Sequence, residues 1–225
     1  MTRATTAGAG GRGVFGPDSI LGVVDVQPTF MPGGELPVAD GAAVVPVINR
    51  LLASRFACAF ATQDWHPPGH GSFASAHPGR APFDTIALAY GPQTLWPDHA
   101  LAGSANAALH PDLDQRKLAA IIRKGSDPAI DSYSAFFEND HRTPTGLHGF
   151  LSERGVRHLF LAGLATDYCV AWSAADALRL GYAVTIIEDA CRAIALALPG
   201  GGTTRDAARA DLLAAGARFV RSGDL

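Results

Sequence analysis

Six short apolar runs, separated by segments of helical period, constrain this chain most. They cover residues 20–25, 56–62, 118–124, 158–163, 183–188 and 217–220. Most are continuously apolar and rich in β-branched side chains, where a half-exposed strand would alternate. Continuous burial suits strands covered on both faces by helices. Between the runs, Val44, Val47, Ile48, Leu51 and Leu52 follow a 3.6-residue period, with Pro46 tolerated in the first turn. Thr143 and Pro144 read as the N-cap and first position of a helix with Leu147, Phe150 and Leu151 on one face and Gly155 at its end. Val170, Ala174, Ala177 and Leu178 repeat at helical spacing up to Gly181. Thr203 or Thr204 caps a last helix carrying Ala208, Leu212 and Ala215, closed by Gly216. This alternation predicts a three-layer α/β/α domain with a mainly parallel six-stranded sheet.

Residues 19–225 read as one domain, preceded by a flexible N-terminal extension over 1–18. Residues 1–13 are rich in Ala, Gly and Thr and lack the apolar core of a signal peptide. At 225 residues, 48% hydrophobic and 17% charged, the chain fits an ordinary globular class. A net charge of -3 gives no electrostatic reason to bind nucleic acid or an acidic membrane, and no apolar run is long enough for a membrane span. Cys58, Cys169 and Cys191 show no paired spacing, which points to a reducing, cytoplasmic setting. Residues 67–111, rich in Pro, Gly, His and aromatics, are too long for a plain connection, and long ordered loops are usually functional.

Ligands of open parallel sheets bind beyond the carboxyl ends of the strands. There the first run ends at Asp25, the second is followed by Asp64 and His66, the third ends at Lys124, and the fourth leads into Cys169. Cys169 falls in the first turn of the helix that follows, where free N–H groups and the positive dipole end favour a thiolate and an oxyanion. Cys58 lies inside a strand run and Cys191 in a later loop, so both read as buried structural thiols. Asp25 is a candidate general base for the thiol and acid for a leaving amine. Lys124 beside it would keep the carboxylate charged. Asp64 and His66 form a metal-type pair that suits Zn, Mn or Fe. Its third ligand is open among His99, His70 and His77.

Several stretches together resemble the nicotinamidases of the isochorismatase-like cysteine hydrolase superfamily, from residue 20 to about residue 220. They are VVDVQ with Phe30, QDWHPPGHGSFAS, GPQTLWPDH, RKGSDPAIDSYSAFF, and GLATDYCV followed by DALRLGY. The resemblance implies the isochorismatase-like hydrolase fold and a catalytic triad of Asp25, Lys124 and Cys169. It implies one divalent metal, zinc with Mn or Fe as alternatives, held by Asp64, His66 and His99, with His70 as an additional candidate. It also implies a cis peptide between Leu164 and Ala165, an oxyanion hole of the Ala165 and Cys169 N–H groups, and a pyridine site walled by Phe30, Trp96 and Tyr133. The expected reaction is deamidation of nicotinamide to nicotinic acid and ammonia through a thioester, with pyrazinamide as a second substrate, feeding NAD salvage. A small-molecule amide is the expected partner, and a homo-oligomer is common in the family. One departure stands out: the family commonly reads DxQNDF, and Pro28 replaces the Asn, removing its side chain and its N–H.

Overall fold

The computed structural model describes residues 15–225; residues 1–14, most of the expected N-terminal extension, lie outside the described residues. Phe15 already belongs to the packed body, its ring 4.9 Å from Phe56 and 4.4 Å from Phe160. In chain order the elements are β1 (Ser19–Val24), α1 (Val44–Ser54), β2 (Ala59–Asp64), β3 (Thr85–Leu88) and β4 (Gly91–Thr94). Then come β5 (Leu118–Lys124), α2 (Leu147–Glu153), β6 (His158–Leu164), α3 (Ala171–Arg179), β7 (Ala183–Arg192), α4 (Thr204–Ala214) and β8 (Arg218–Val220).

The main sheet has the order β5-β2-β1-β6-β7-β8, and every pairing in it is parallel. Strand period explains why the runs lack alternation. Leu21, Val23, Ala59, Ala61 and Phe160 turn to one face and pack with Val44, Ile48, Leu51 and Leu52 of α1. Ile20, Val24, Phe60, Leu159 and Leu161 turn to the other and pack with Leu147 and Leu151 of α2, Ala174 and Ala177 of α3 and Leu212 of α4. Both faces are dry, so both registers of each central strand are apolar. The predicted three-layer architecture is met.

From β1 the chain winds outward to β2 and β5, then crosses back to β6 and winds the other way to β7 and β8. The reversal leaves a switch point between β1 and β6, where loops diverge and a crevice opens. Strand β6 comes very close to β1 there. A Cβ on Gly163 would lie 2.0 Å from the Val24 carbonyl oxygen, and its φ is +124°, so only glycine serves.

Three local expectations need correction. Strand β2 starts at Ala59 and runs to Asp64, so Asp64 is its last residue and Phe56 belongs to the core beneath α1. Thr143 and Pro144 do not start a helix; Pro144 bridges to Phe137, and α2 begins at Leu147 after Gly146 with φ 93°. The Asp140 side chain bonds the Thr143 N–H and hydroxyl, which turns the apparent N-cap into part of a loop. The helix carrying Cys169 opens with a π-helical turn, Thr166–Val170, before α3. Thr203 does cap α4, in a capping box with Asp206. No helix of the described residues is long and apolar enough to cross a membrane.

Candidate active site

Four adjacent strands end on one crevice. Lys124 closes β5, Asp64 closes β2, Asp25 follows β1, and β6 runs through Leu164 into the turn that carries Cys169. The Leu164–Ala165 peptide is cis, as the resemblance implied. Asp25 adopts φ 47°, and its N–H donates to Thr62 Oγ1 at 3.1 Å while the Thr62 hydroxyl donates back to Asp25 Oδ1 at 2.5 Å. Thr62 thus fixes the carboxylate against the end of β2.

Lys124 sits at the centre, fully buried. Its ammonium lies 2.9 Å from Asp25 Oδ2 and donates to Asp64 Oδ1, to the Ser132 carbonyl at 2.8 Å and to Cys169 Sγ at 3.4 Å. Burial alone would discharge this lysine, but the Asp25 and Asp64 carboxylates outweigh it and hold the ammonium well above its usual range. For Asp64, burial is likewise overcome, by Lys124 and His66, and its carboxyl stays well below the usual range. Asp25 behaves oppositely: burial and the nearby Asp64 charge prevail over Lys124 and raise it. Two carboxylates in one cavity are therefore driven apart, one firmly ionised and one poised to carry a proton.

The Cys169 thiol is not the ready-made thiolate that a helix terminus suggested. Burial pushes it well above its usual range, Lys124 pulls it down, and Asp25 and Asp64 add to the rise. Desolvation beside two carboxylates outweighs the dipole, so the thiol needs a base at the moment of attack. Asp25 Oδ2 is available for that. It is ion-paired with the Lys124 ammonium at 2.9 Å but accepts no well-aligned hydrogen bond among the described residues, and the Asp25, Asp64 and Cys169 ligand atoms lie within 4.8 Å of one another.

Beside this group, Asp64 Oδ2 lies 3.6 Å from His66 Nε2 and 3.4 Å from His99 Nε2. Ligands about 2.1 Å from a tetrahedral ion stand about 3.4 Å apart, so the spacing fits a metal. The tautomers fit too. His66 Nδ1 faces the Gly125 carbonyl at 2.9 Å and His99 Nδ1 faces the Pro97 carbonyl at 2.8 Å. Each carbonyl accepts a hydrogen bond from Nδ1–H, which leaves Nε2 with its lone pair turned to Asp64. His66 Nε2 is buried without a hydrogen-bond partner, the signature of an atom that awaits a ligand. His70 differs: its Nδ1 accepts from the Ser72 N–H at 3.1 Å and its Nε2 donates to the Asp127 carbonyl at 2.8 Å. Its ring packs against the His66 ring, 4.4 Å between centroids, and its ligand atoms group with those of His66 and Asp131, within 4.8 Å of one another, in a second set beside Asp64, His66 and His99.

Gly125 was not singled out by sequence, yet it sets the His66 ring. A Cβ there would lie 2.4 Å from His66 Cε1, and its φ is +66°. Gly125→Ala is expected to weaken metal retention about tenfold or more, read by elemental analysis after dialysis. Gly149→Ala, where a Cβ meets nothing within 4 Å, is the control expected to leave it unchanged.

The crevice opens into a narrow pocket lined by Cys169, Ala165, Asp64 and His99 on its polar side, and by Phe30, Leu36, Trp96, Tyr133, Tyr168 and Ile194 on its apolar side. Pro28 opens a 3-10 turn, Pro28–Phe30, which turns Phe30 inward. Trp96 Nε1 donates to Tyr133 Oη at 3.1 Å, and Gln93 Nε2 reaches the same oxygen at 3.0 Å. Gln27, also buried, brackets the Asp64 peptide, donating to its carbonyl at 2.9 Å and accepting from its N–H at 2.9 Å. Larger clefts lie between α3 and α4 and beside β7 and β8; the second is lined by Cys191, Glu188 and Asp189 with several arginines, but no close group of metal-type ligands among the described residues falls in either.

A sequence profile of the isochorismatase domain matches residues 19–210. The chain belongs to the isochorismatase family. Within it, the nicotinamidase of Acinetobacter baylyi is 54% identical over 172 residues, 76% of this chain and 80% of that one. The nicotinamidase of Escherichia coli is 47% identical over 79% of this chain and 84% of its own length. Among solved structures, the Acinetobacter baumanii nicotinamidase/pyrazinamidase superposes with a TM-score of 0.88 at 47% identity, covering 93% of this chain and 98% of that one. The yeast nicotinamidase Pnc1p bound to the inhibitor nicotinaldehyde gives 0.82 at 26% identity, covering 90% and 99%. The pyrazinamidase of Pyrococcus horikoshii in complex with zinc gives 0.71 at 30% identity, covering 91% and 99%.

Within this family frame, sequence reasoning missed Thr62, Gly125, Asp131, Ser132, Tyr168 and Ile194. Tyr168 stands next to Cys169 and could have been found from that adjacency. Asp131, which sits with Oδ1 3.8 Å from His66 Nε2, and Ser132 lie in an irregular loop with no periodicity to expose them.

Proposed function

We propose that the protein is a nicotinamidase that hydrolyses nicotinamide to nicotinic acid and ammonia through a thioester on Cys169. The observation that carries this reading is the convergence of the Cys169 thiol, the Asp25 carboxylate and the Lys124 ammonium beside a pocket that adjoins the Asp64, His66 and His99 trio. The nicotinamidase relatives and the nicotinaldehyde-bound yeast structure support the pyridine carboxamide as substrate.

Phe30, Trp96 and Tyr133 form the apolar slot for the ring, which leaves the carboxamide carbon against Cys169. Asp25 takes the Sγ proton as Sγ bonds to that carbon, and the Ala165 and Cys169 N–H groups receive the oxyanion. Lys124 keeps its proton and holds Asp25 in place. As the tetrahedral species collapses, the C–N bond breaks and Asp25 returns its proton to the departing amine, which leaves as ammonia. Asp25 next takes a proton from water, whose oxygen attacks the thioester carbon. The C–S bond breaks, Asp25 passes the proton it took from water to Sγ, and nicotinic acid departs, losing its carboxyl proton to solvent. Asp64, His66 and His99 would hold zinc, the metal of the Pyrococcus complex, which supplies a Lewis-acidic anchor for the ring nitrogen. Pyrazinamide, a ring isostere, fits the same slot. Three free thiols suit a reducing cytoplasm, where the product would enter NAD salvage.

The test is ammonia release from nicotinamide against a panel of N-carbamoyl and aliphatic amides. Nicotinamide and pyrazinamide are expected to turn over fastest, and a preference for carbamoyl compounds would refute the assignment. The pH profile follows from Asp25. It must be ionised to take the thiol proton, and its carboxyl is raised above 3.8, so the acid limb of kcat/KM is expected above that value. Thr62→Val removes a hydrogen bond that favours the carboxylate and should move the limb further up. A limb at or below 3.8 would assign the base elsewhere.

A further inference from the structure

Asp167 stands two residues before Cys169 and is buried, yet forms no ion pair among the described residues. Its carboxylate points away from the thiol, toward the segment that follows β7. Oδ1 accepts from the Ile194 N–H at 3.0 Å, and Oδ2 accepts from the Ala195 N–H at 2.8 Å and the Thr204 hydroxyl at 2.5 Å. The same Thr204 oxygen accepts from the Leu196 N–H at 3.0 Å. Three successive peptides and the first residue of α4 are thereby fastened to the turn that holds Cys169. Ile194 packs against the core from its side chain, but Ala195 is exposed and has φ 57°, a conformation that an alanine rarely keeps without a bond to hold it. Ile194, fixed between these bonds, lines the pocket with Cys169 and Phe30.

We propose that Asp167 is a positioning residue for substrate, which bolts Ile194 onto the turn of Cys169 so that it forms one wall of the ring slot. The proposal rests on the nicotinamidase reading for its substrate. The chemistry demands a carboxylate, because three donors converge on two oxygens. Asn offers a single acceptor oxygen and would turn its NH2 toward the Ala195 N–H, donor against donor. Asp167→Asn should therefore release the wall while it leaves Asp25, Lys124 and Cys169 in place.

Amide hydrogen exchange and steady-state kinetics on Asp167→Asn, Ile194→Ala and the double variant test this. Exchange at Ile194 and Ala195 is expected to accelerate about tenfold or more in Asp167→Asn, the cost of losing bonds to a charged acceptor. KM for nicotinamide should rise about tenfold with kcat within about threefold, the pattern of lost binding. In the Ile194→Ala background, Asp167→Asn should add less than about twofold to KM, because the wall it holds is already gone. Thr204→Val, which removes one bond, should shift exchange and KM in the same direction by less, and it decides the matter if Asp167→Asn does not fold. Unchanged exchange, full additivity in the double variant, or a fall in kcat at constant KM would overturn the proposal. If the wild-type protein does not hydrolyse nicotinamide, the function assignment fails, while the exchange data still decide whether Asp167 holds the segment.

Discussion

Cys169→Ala is expected to lower kcat for nicotinamide by about 10⁴-fold or more, the scale seen when a covalent nucleophile is removed. The substitution takes one sulfur from a buried site and leaves the Lys124, Asp25 and Asp64 cluster complete. Its thermal midpoint should thus stay within a few degrees of wild type, and its metal content should not change. Lys124 loses only its longest contact, at 3.4 Å. Residual turnover within tenfold of wild type would mean that another group attacks the carbonyl. Cys191 cannot substitute: it lies within β7 rather than in the expected loop, and its sulfur faces the Leu161 carbonyl at 3.9 Å.

The second large effect belongs to Lys124. Lys124→Met fills most of the same volume but strips the counter-charge from two buried carboxylates whose oxygens it touches. An unpaired buried charge costs about 3–5 kcal/mol, which for a chain of this size lowers the unfolding midpoint by about 10 °C. The pH dependence gives the cause away. Without the ammonium, Asp25 and Asp64 would both be raised in the folded protein relative to the unfolded chain. Their protonated forms favour folding, so the variant's deficit should shrink as pH falls toward the unfolded carboxylate range and grow as pH rises. The wild type should recover less, because Asp64 is held low and its stabilising charge is lost as pH falls, which opposes the gain from the raised Asp25. Turnover should be lost as well, with Asp25 no longer held against the thiol. Circular-dichroism melts at pH 5 and pH 7 check the sign, and a deficit equal at both would contradict the account.

Much of this architecture was legible because strand burial leaves a direct mark. Residues 20–25 and 158–163 read as apolar on both registers, and each faces helices on both sides. The strand ends were legible too, since Asp25, Lys124 and Cys169 interrupt apolar runs with groups that are costly to bury. Local signals failed where a side chain competed for the backbone. Thr143 and Pro144 carry the pattern of a helix start, but Asp140 claims their turn. Cys169 shows the other limit. Its place at a helix terminus is readable, whereas the state of its thiol depends on burial, which raises it, and on Lys124, which lowers it, and Asp25 and Asp64, which raise it, these residues arriving from three other strands. Gly125 is the same lesson in steric form: its need for no Cβ comes from a histidine 59 positions away in the chain. Pairwise closeness of that kind has no period to read.

Attack of Cys169 on the carboxamide of nicotinamide leaves a covalent trace. Acid-quenched single turnover, followed by mass spectrometry of the peptide that carries Cys169, tests it most directly. A nicotinoyl group on Cys169 that forms as ammonia is released and decays as nicotinate appears is the expected result. Ammonia release at the full rate with Cys169 unmodified at every quench time, and unimpaired in Cys169→Ala, would contradict it.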